Sequence, residues 1–230
     1  MKKIFSIAAL AMITVTPVSA EVETTIEADV VSSYVWRGLE LGDAALQPTL
    51  GVSAAGFDLS LWGSTGIASF LDTKEFDITL SYSIAGLSVG VTDYWFDAGP
   101  EPYGRYFNYS KDFTNHVFEA FLSYNLEFMS VVWYTNFYGN DFTADGDRAF
   151  SSYFEVSAPF NAFGADWSAS FGMVPFKTDF YGTDGFAVTN ISLSAAKELE
   201  VTDSFSLPVS AGLTVNPSTE MAYLVLGISF

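Results

Sequence analysis

The chain of 230 residues contains no cysteine. That excludes disulfides, thiolate metal sites, a cysteine nucleophile and a lipidated N-terminal cysteine. Charge is scarce at 16% of residues, well below the roughly 25% of an ordinary soluble domain. Basic charge is scarcer still, with 9 Lys+Arg against 27 Asp+Glu, so nucleic acid, whose recognition needs basic patches, is not an expected partner. There is one histidine, His116, and no serine lies among its neighbours Asn115, Val117 and Phe118. A serine hydrolase needs an activating base beside its hydroxyl, so catalysis is not expected, and one histidine without cysteine gives no zinc or copper set. No cofactor is expected. After the first segment, no apolar run is long enough for a membrane-spanning helix, which needs about 20 residues.

Apolar residues and aromatics are abundant instead, at 50% and 17%, with 22 Phe and 12 Tyr. The N-terminus has the three parts of a secretory signal: Lys2 and Lys3, the mostly apolar Ile4 to Val15, then Val18-Ser19-Ala20. Cleavage after Ala20 is expected, leaving 21–230 as one barrel domain.

From Thr24 onward the chain reads with period two. Phe76, Ile78, Leu80, Tyr82 and Ile84 fall on one face, and Asp77, Thr79, Ser81 and Ser83 on the other. Such alternation predicts strands with one apolar face. Twelve are expected, near 24–37, 46–55, 57–69, 75–84, 87–97, 115–125, 128–138, 147–158, 165–174, 186–197, 204–215 and 221–230. Without spanning helices, a membrane protein must be a closed barrel, because lipid satisfies no backbone hydrogen bond. The expected fold is therefore all-β: a transmembrane, up-and-down antiparallel β-barrel of about twelve strands.

Short links (Ala55-Gly56, Ala85-Gly86, Asn125-Leu126) alternate with long ones (38–45, 98–114, 139–146, 175–185), as in bacterial outer-membrane barrels with periplasmic turns and extracellular loops. Tyr34, Trp36, Trp95, Phe137, Phe150 and Phe186 are expected at the outer rim. Phe57, Tyr124, Phe128, Phe163, Trp167, Phe205 and Phe230 are expected at the inner one. The ending Leu226-Gly227-Ile228-Ser229-Phe230, with Leu224, Leu226, Ile228 and Phe230 alternating, looks like the C-terminal signal read by the barrel-assembly machinery. The expected location is thus the outer membrane of a Gram-negative bacterium, with its lipid and lipopolysaccharide as partners. Oligomeric state is not readable, since a lipid-facing surface and a subunit interface are both apolar.

Val31-Ser32-Ser33-Tyr34-Val35-Trp36-Arg37-Gly38, then Gly42-Asp43 and Gln47-Pro48, resembles the opening of the TorF/Gcw_chp family of conserved hypothetical outer-membrane proteins. Asn136-Phe137-Tyr138-Gly139-Asn140-Asp141 is similar to a central motif of that group. The resemblance implies a barrel and transfers no catalytic or ligand residue.

Parity assigns the inward positions, which are mostly Ser, Thr and Gly. A barrel that fills its own interior uses large side chains there, so room for water is expected. Glu27, Asp29, Asp58, Asp77, Glu119, Glu155 and Asp166 point inward, with Arg37 as the clear inward base. Acidic rings favour cations in a pore. Trp62, Tyr94 and Tyr134 narrow the lumen in the same reading. The expectation is a narrow porin-like channel for small solutes with mild cation preference. The alternative is a non-conducting structural or surface-interaction barrel. Asp141, Asp145 and Asp147 lie in one loop without the spacing of an EF-hand, and read as a solvated acidic turn. The aromatic 98–114 loop either folds inward as a constriction or packs on its own rim, with packing favoured.

Overall fold

The computed structural model describes residues 22–68, 74–111, 113–203 and 205–230; the expected signal segment, the end of the strand expected over 57–69 and the first residue of that expected over 204–215 lie outside them. Fourteen strands occur among the described residues: β1 Glu23–Val31, β2 Tyr34–Trp36, β3 Leu39–Gly42, β4 Ala45–Ala54, β5 Phe57–Gly66, β6 Glu75–Ile84, β7 Leu87–Phe96, β8 His116–Leu126, β9 Met129–Gly139, β10 Ser152–Ala162, β11 Ala165–Val174, β12 Ala187–Thr202, β13 Phe205–Asn216 and β14 Met221–Ser229. Twelve of them form a closed barrel in which each pairs antiparallel with its sequence neighbour; β2 and β3 stand apart as a two-stranded sheet, and β1 pairs with both β4 and β14.

Period-two alternation is the reason for this wall. Leu50, Leu59, Leu80, Val89, Leu122, Leu193, Leu213 and Leu226 lie on the outer face and are exposed. Their neighbours Gln47, Ser64, Ser81, Ser88, Thr92 and Ser157 are buried on the inner one. At one end the wall turns tightly. Ala55-Gly56, Ala85-Gly86 and Phe163-Gly164 each hold two successive positive φ angles, as a two-residue hairpin of the right twist requires. The turn expected at Asn125-Leu126 falls instead at Glu127-Phe128, because β8 runs to Leu126. Phe57, Tyr124, Phe128, Phe163, Phe205 and Phe230 ring this end and are exposed.

Three further expectations need correction. The strand expected at 147–158 begins only at Ser152 and continues to Ala162, since Asp141 takes the Ser151 amide and hydroxyl and holds the preceding loop off the wall. The second concerns Trp95: the 98–114 loop packs on its own barrel, as favoured, and covers the outer face of β6–β9. Parity puts Asp93 and His116 outward, in register with Phe118 and Trp95. The loop lays Tyr106 against Phe76, Trp95 and His116, and stacks Tyr109 on His116 at 4.1 Å. Trp95 is therefore covered rather than part of a rim.

The third correction matters most. The strand expected over 24–37 stops at Val31. The amide of Ser32 still donates to Leu226 O at 2.9 Å, but the returning Leu226 amide is taken by the Ser32 hydroxyl, at 2.9 Å, in place of the backbone carbonyl. A serine side chain offers the backbone this alternative to a ladder bond. The chain leaves the wall there, and β2–β3 folds into the barrel. Tyr34 and Trp36 follow it into the lumen and are absent from the outer rim.

Candidate functional site

The tip of β2–β3 is Trp36-Arg37-Gly38-Leu39, with Trp36 opposite Leu39 and positive φ at both Arg37 and Gly38. Gly38 is required. A Cβ there would stand 1.7 Å from Thr189 O, so the tip backbone lies directly on β12. Asn216 of β13, itself fully buried, donates to Gly38 O at 2.9 Å.

Arg37 crosses to the opposite wall. Its guanidinium donates twice to Glu119 of β8, at 2.6 and 2.7 Å, and once more to the Tyr181 hydroxyl. Two parallel N–H···O bonds to a carboxylate are the strongest geometry open to an arginine. The guanidinium carbon lies 3.8 Å from the centre of the Tyr134 ring, 4.2 Å from Trp36 and 4.8 Å from Tyr153. Tyr94 donates to Glu119 as well, at 2.9 Å. Tyr181 comes from the loop between β11 and β12, stacks on Trp36 and Tyr153, and brings Phe180 edge-on to Trp36. Nearby, Glu155 accepts from Tyr153 at 2.6 Å and from Asn190 at 3.0 Å. At the root of the hairpin Tyr34 packs on Trp62.

The result is a plug across the loop-end half of the lumen, held by one salt bridge whose side chains are 7% and 1% exposed. A buried charge persists only when paired and hydrogen-bonded, and this one is. The turn-end half differs. Its wall carries Thr25, Ser53, Ser60, Ser83, Ser123, Ser130, Ser168, Ser194 and Ser210 on the inward parity, with few large side chains among them.

The inward residues named from the sequence divide between these halves. Arg37, Glu119 and Glu155 meet in the plug. Asp77 is buried close by, with Oδ1 lacking a hydrogen-bond partner among the described residues. Asp29 is buried lower down and accepts from Ser229 at 2.5 Å. Glu27 and Asp58 are half-buried on the turn-end wall, and Asp166 is exposed at that rim with Asn161 donating to it. Leu224, Leu226, Ile228 and Phe230 are exposed, and Phe230 exchanges backbone hydrogen bonds with Ala28. Sequence reasoning missed Tyr153, Tyr181, Asn190 and Asn216. The first, third and fourth lie on barrel strands and could have been flagged as large polar groups in a wall of serines. Tyr181 sits in a loop and carries no such signal. The expected narrowing of the lumen by Trp62, Tyr94 and Tyr134 does occur, through their contacts with the hairpin and its arginine's partner.

The second motif lies against the plug. Asn136 pairs in register with Glu119, is fully buried, and has no side-chain partner among the described residues. Gly139, with φ 89°, lets β9 approach so closely that a Cβ would stand 2.0 Å from His116 O.

No family model matches this chain, and no curated protein matches its sequence. Among solved structures it is similar to an outer membrane channel from Pseudomonas putida F1, with 14% identity, 96% of this chain and 98% of that one covered, and a TM-score of 0.43. A likeness this distant carries no argument about solute or mechanism.

Proposed function

We propose that the chain is an outer-membrane barrel of the small-solute channel class, shut across its outer half by the β2–β3 hairpin. The carrying observation is the division of the lumen. One half is walled by hydroxyls and glycines, and the other is closed by the inserted β2–β3 hairpin, with Phe180 and Tyr181 of the β11–β12 loop and wall tyrosines packed on it. The exposed apolar outer face and the aromatic ring at the turn end support a membrane setting, with outer-membrane lipid and lipopolysaccharide as surroundings. The reciprocal pairing of Phe230 with Ala28 suits a terminal strand delivered by the barrel-assembly machinery. The TorF/Gcw_chp resemblance belongs to this reading too, since its opening motif is the hairpin and its root.

A mild cation preference follows from Asp58 and Asp166 on the turn-end half, where no basic side chain faces them on the inward parity among the described residues, with Glu27 adding to the acidic wall. Catalysis finds no support at His116. Its Nδ1 lies 2.8 Å from Asp93 and its Nε2 2.5 Å from Tyr106 O, so neither nitrogen is left for a serine. The test is a chain whose residues 33–43 are replaced by a short turn, in a planar bilayer under a KCl gradient. A current with a reversal potential of cation sign is expected. A silent barrel sinks the channel reading and favours a structural or surface-interaction role; anion sign sinks the acidic-wall argument alone.

A further inference from the structure

We propose that residues 32–44 are a two-position hairpin, which plugs the lumen when bent inward and completes the barrel wall when straight. The inference rests on the channel reading above and supplies its gate.

The first observation is register. Val31 pairs with Ala45, and Tyr34 with Gly42: three residues further along one arm, three back along the other. The plug is thus the upper end of the β1–β4 hairpin, in the same pairing, with one slip at Tyr34/Val35. It is bent at 32–33 and 43–44.

The second observation is a vacant edge. β14 pairs with β13 from Met221 to Ile228. On its other side it pairs with β1 only at Gly227, Ile228 and Ser229, with Leu226 held by Ser32 and Phe230 by Ala28. Above Leu226, no strand among the described residues pairs with that edge. It is five residues long, about 17 Å at the usual rise. Continuing the observed register sets Ser33 opposite Val225, Tyr34 opposite Leu224, Val35 opposite Tyr223, Trp36 opposite Ala222 and Arg37 opposite Met221. The hairpin tip and the vacant edge end together. On the far arm, Ala44 already accepts from the Ile67 amide at 2.8 Å, the first bond of an extended β4–β5 pairing.

Alternation agrees. Straight arms carry Tyr34 outward beside Leu224 and Trp36 outward beside Ala222, into the rim where aromatics meet headgroups. Ser33, Val35 and Arg37 turn inward beside Val225, Tyr223 and Met221, continuing the inward row of Gly227 and Ser229. The two positions exchange comparable groups. Bent, the hairpin satisfies Glu119 and leaves β14 with an unpaired edge, which is costly in lipid. Straight, it pairs the edge and leaves Glu119 to lumen water. The hinge is Ser32, whose hydroxyl stands in for its own carbonyl in the bent form.

The cysteine-free chain makes the test clean. In the full-length protein in lipid, Trp36→Cys with Ala222→Cys places the two Cα atoms about 5.5 Å apart only in the straight form, within disulfide reach. In the bent form residue 36 lies in the plug, among Tyr94 and Tyr181. Oxidation with copper–phenanthroline is expected to form the cross-link and produce a bilayer current that a reducing agent abolishes. Adding Arg37→Ala is expected to speed the cross-link. No cross-link in either background, from protein whose heat-dependent gel mobility shows a folded barrel, overturns the proposal. Current from Arg37→Ala without any cross-link also overturns it, while sparing the channel reading. A cross-link without current upholds the two positions and overturns the channel instead.

Discussion

Removing Glu119 tests whether the plug is held by its salt bridge. In the bent hairpin the Arg37 guanidinium is 7% exposed and makes a bidentate pair with a carboxylate that is 1% exposed. Truncating one partner of a buried pair costs about 3–5 kcal/mol, mostly because the other charge is stranded. Arg37 would keep Tyr181 and its three aromatic rings, so the lower end applies. At about 1.4 kcal/mol per factor of ten, about 3 kcal/mol raises the withdrawn population of Glu119→Ala roughly a hundredfold. Arg37 itself supplies the assay. Trypsin cuts after arginine only where the backbone is accessible, and Arg37 is enclosed while the hairpin is inserted. The initial rate of cleavage at Arg37 in lipid-embedded protein should therefore rise by about two orders of magnitude. The double variant Arg37→Met with Glu119→Met replaces the pair by apolar side chains, a change that is often neutral, and should remain as non-conducting as the wild type. Cleavage of Glu119→Ala within about twofold of wild type, or a double variant that conducts as freely as the single one, would refute the reasoning.

Gly38→Ala should also favour withdrawal, because its Cβ would collide with Thr189 O at 1.7 Å; the check is bilayer current from a barrel of unchanged gel mobility. Gly139→Ala, at φ 89° and 2.0 Å from His116 O, should instead lower the yield of folded barrel, since that strain lies in the wall itself. Replacing the 98–114 loop by a short linker should lower stability by about 1–3 kcal/mol in a urea titration, because it uncovers Asp93 and His116 on the outer face. Adding Asp93→Leu and His116→Leu should restore most of that loss. Deleting Phe230 should slow assembly, measured as folded fraction against time, because it removes two backbone bonds from the shortest seam of the barrel.

The wall was legible because period-two alternation is a local property. Leu80 outward and Ser81 inward can be read without knowing which strand lies alongside. The bend at Ser32 was not legible, since it depends on a hydroxyl meeting the Leu226 amide, 194 residues away. The same parity placed Arg37 and Glu119 inward, yet their pairing across 82 residues needs the hairpin to leave the wall. Asp93 and His116 offered a signal that went unused. Each interrupts an otherwise apolar outward face, and that interruption marks where the 98–114 loop lies. The strand expected over 24–37 ends at Val31 in the structure, and its last residues form part of the separate β2. The alternation of Tyr34 and Trp36 reads as wall from the sequence, whereas the structure places both in the plug with Arg37.

The most direct test of the central claim is the ratio of bilayer currents from two proteins in the same membrane: the full chain, and the chain with residues 33–43 replaced by a short turn. A plugged channel gives a near-silent full chain and steady conduction from the trimmed one. Equal currents, whether both large or both absent, contradict it.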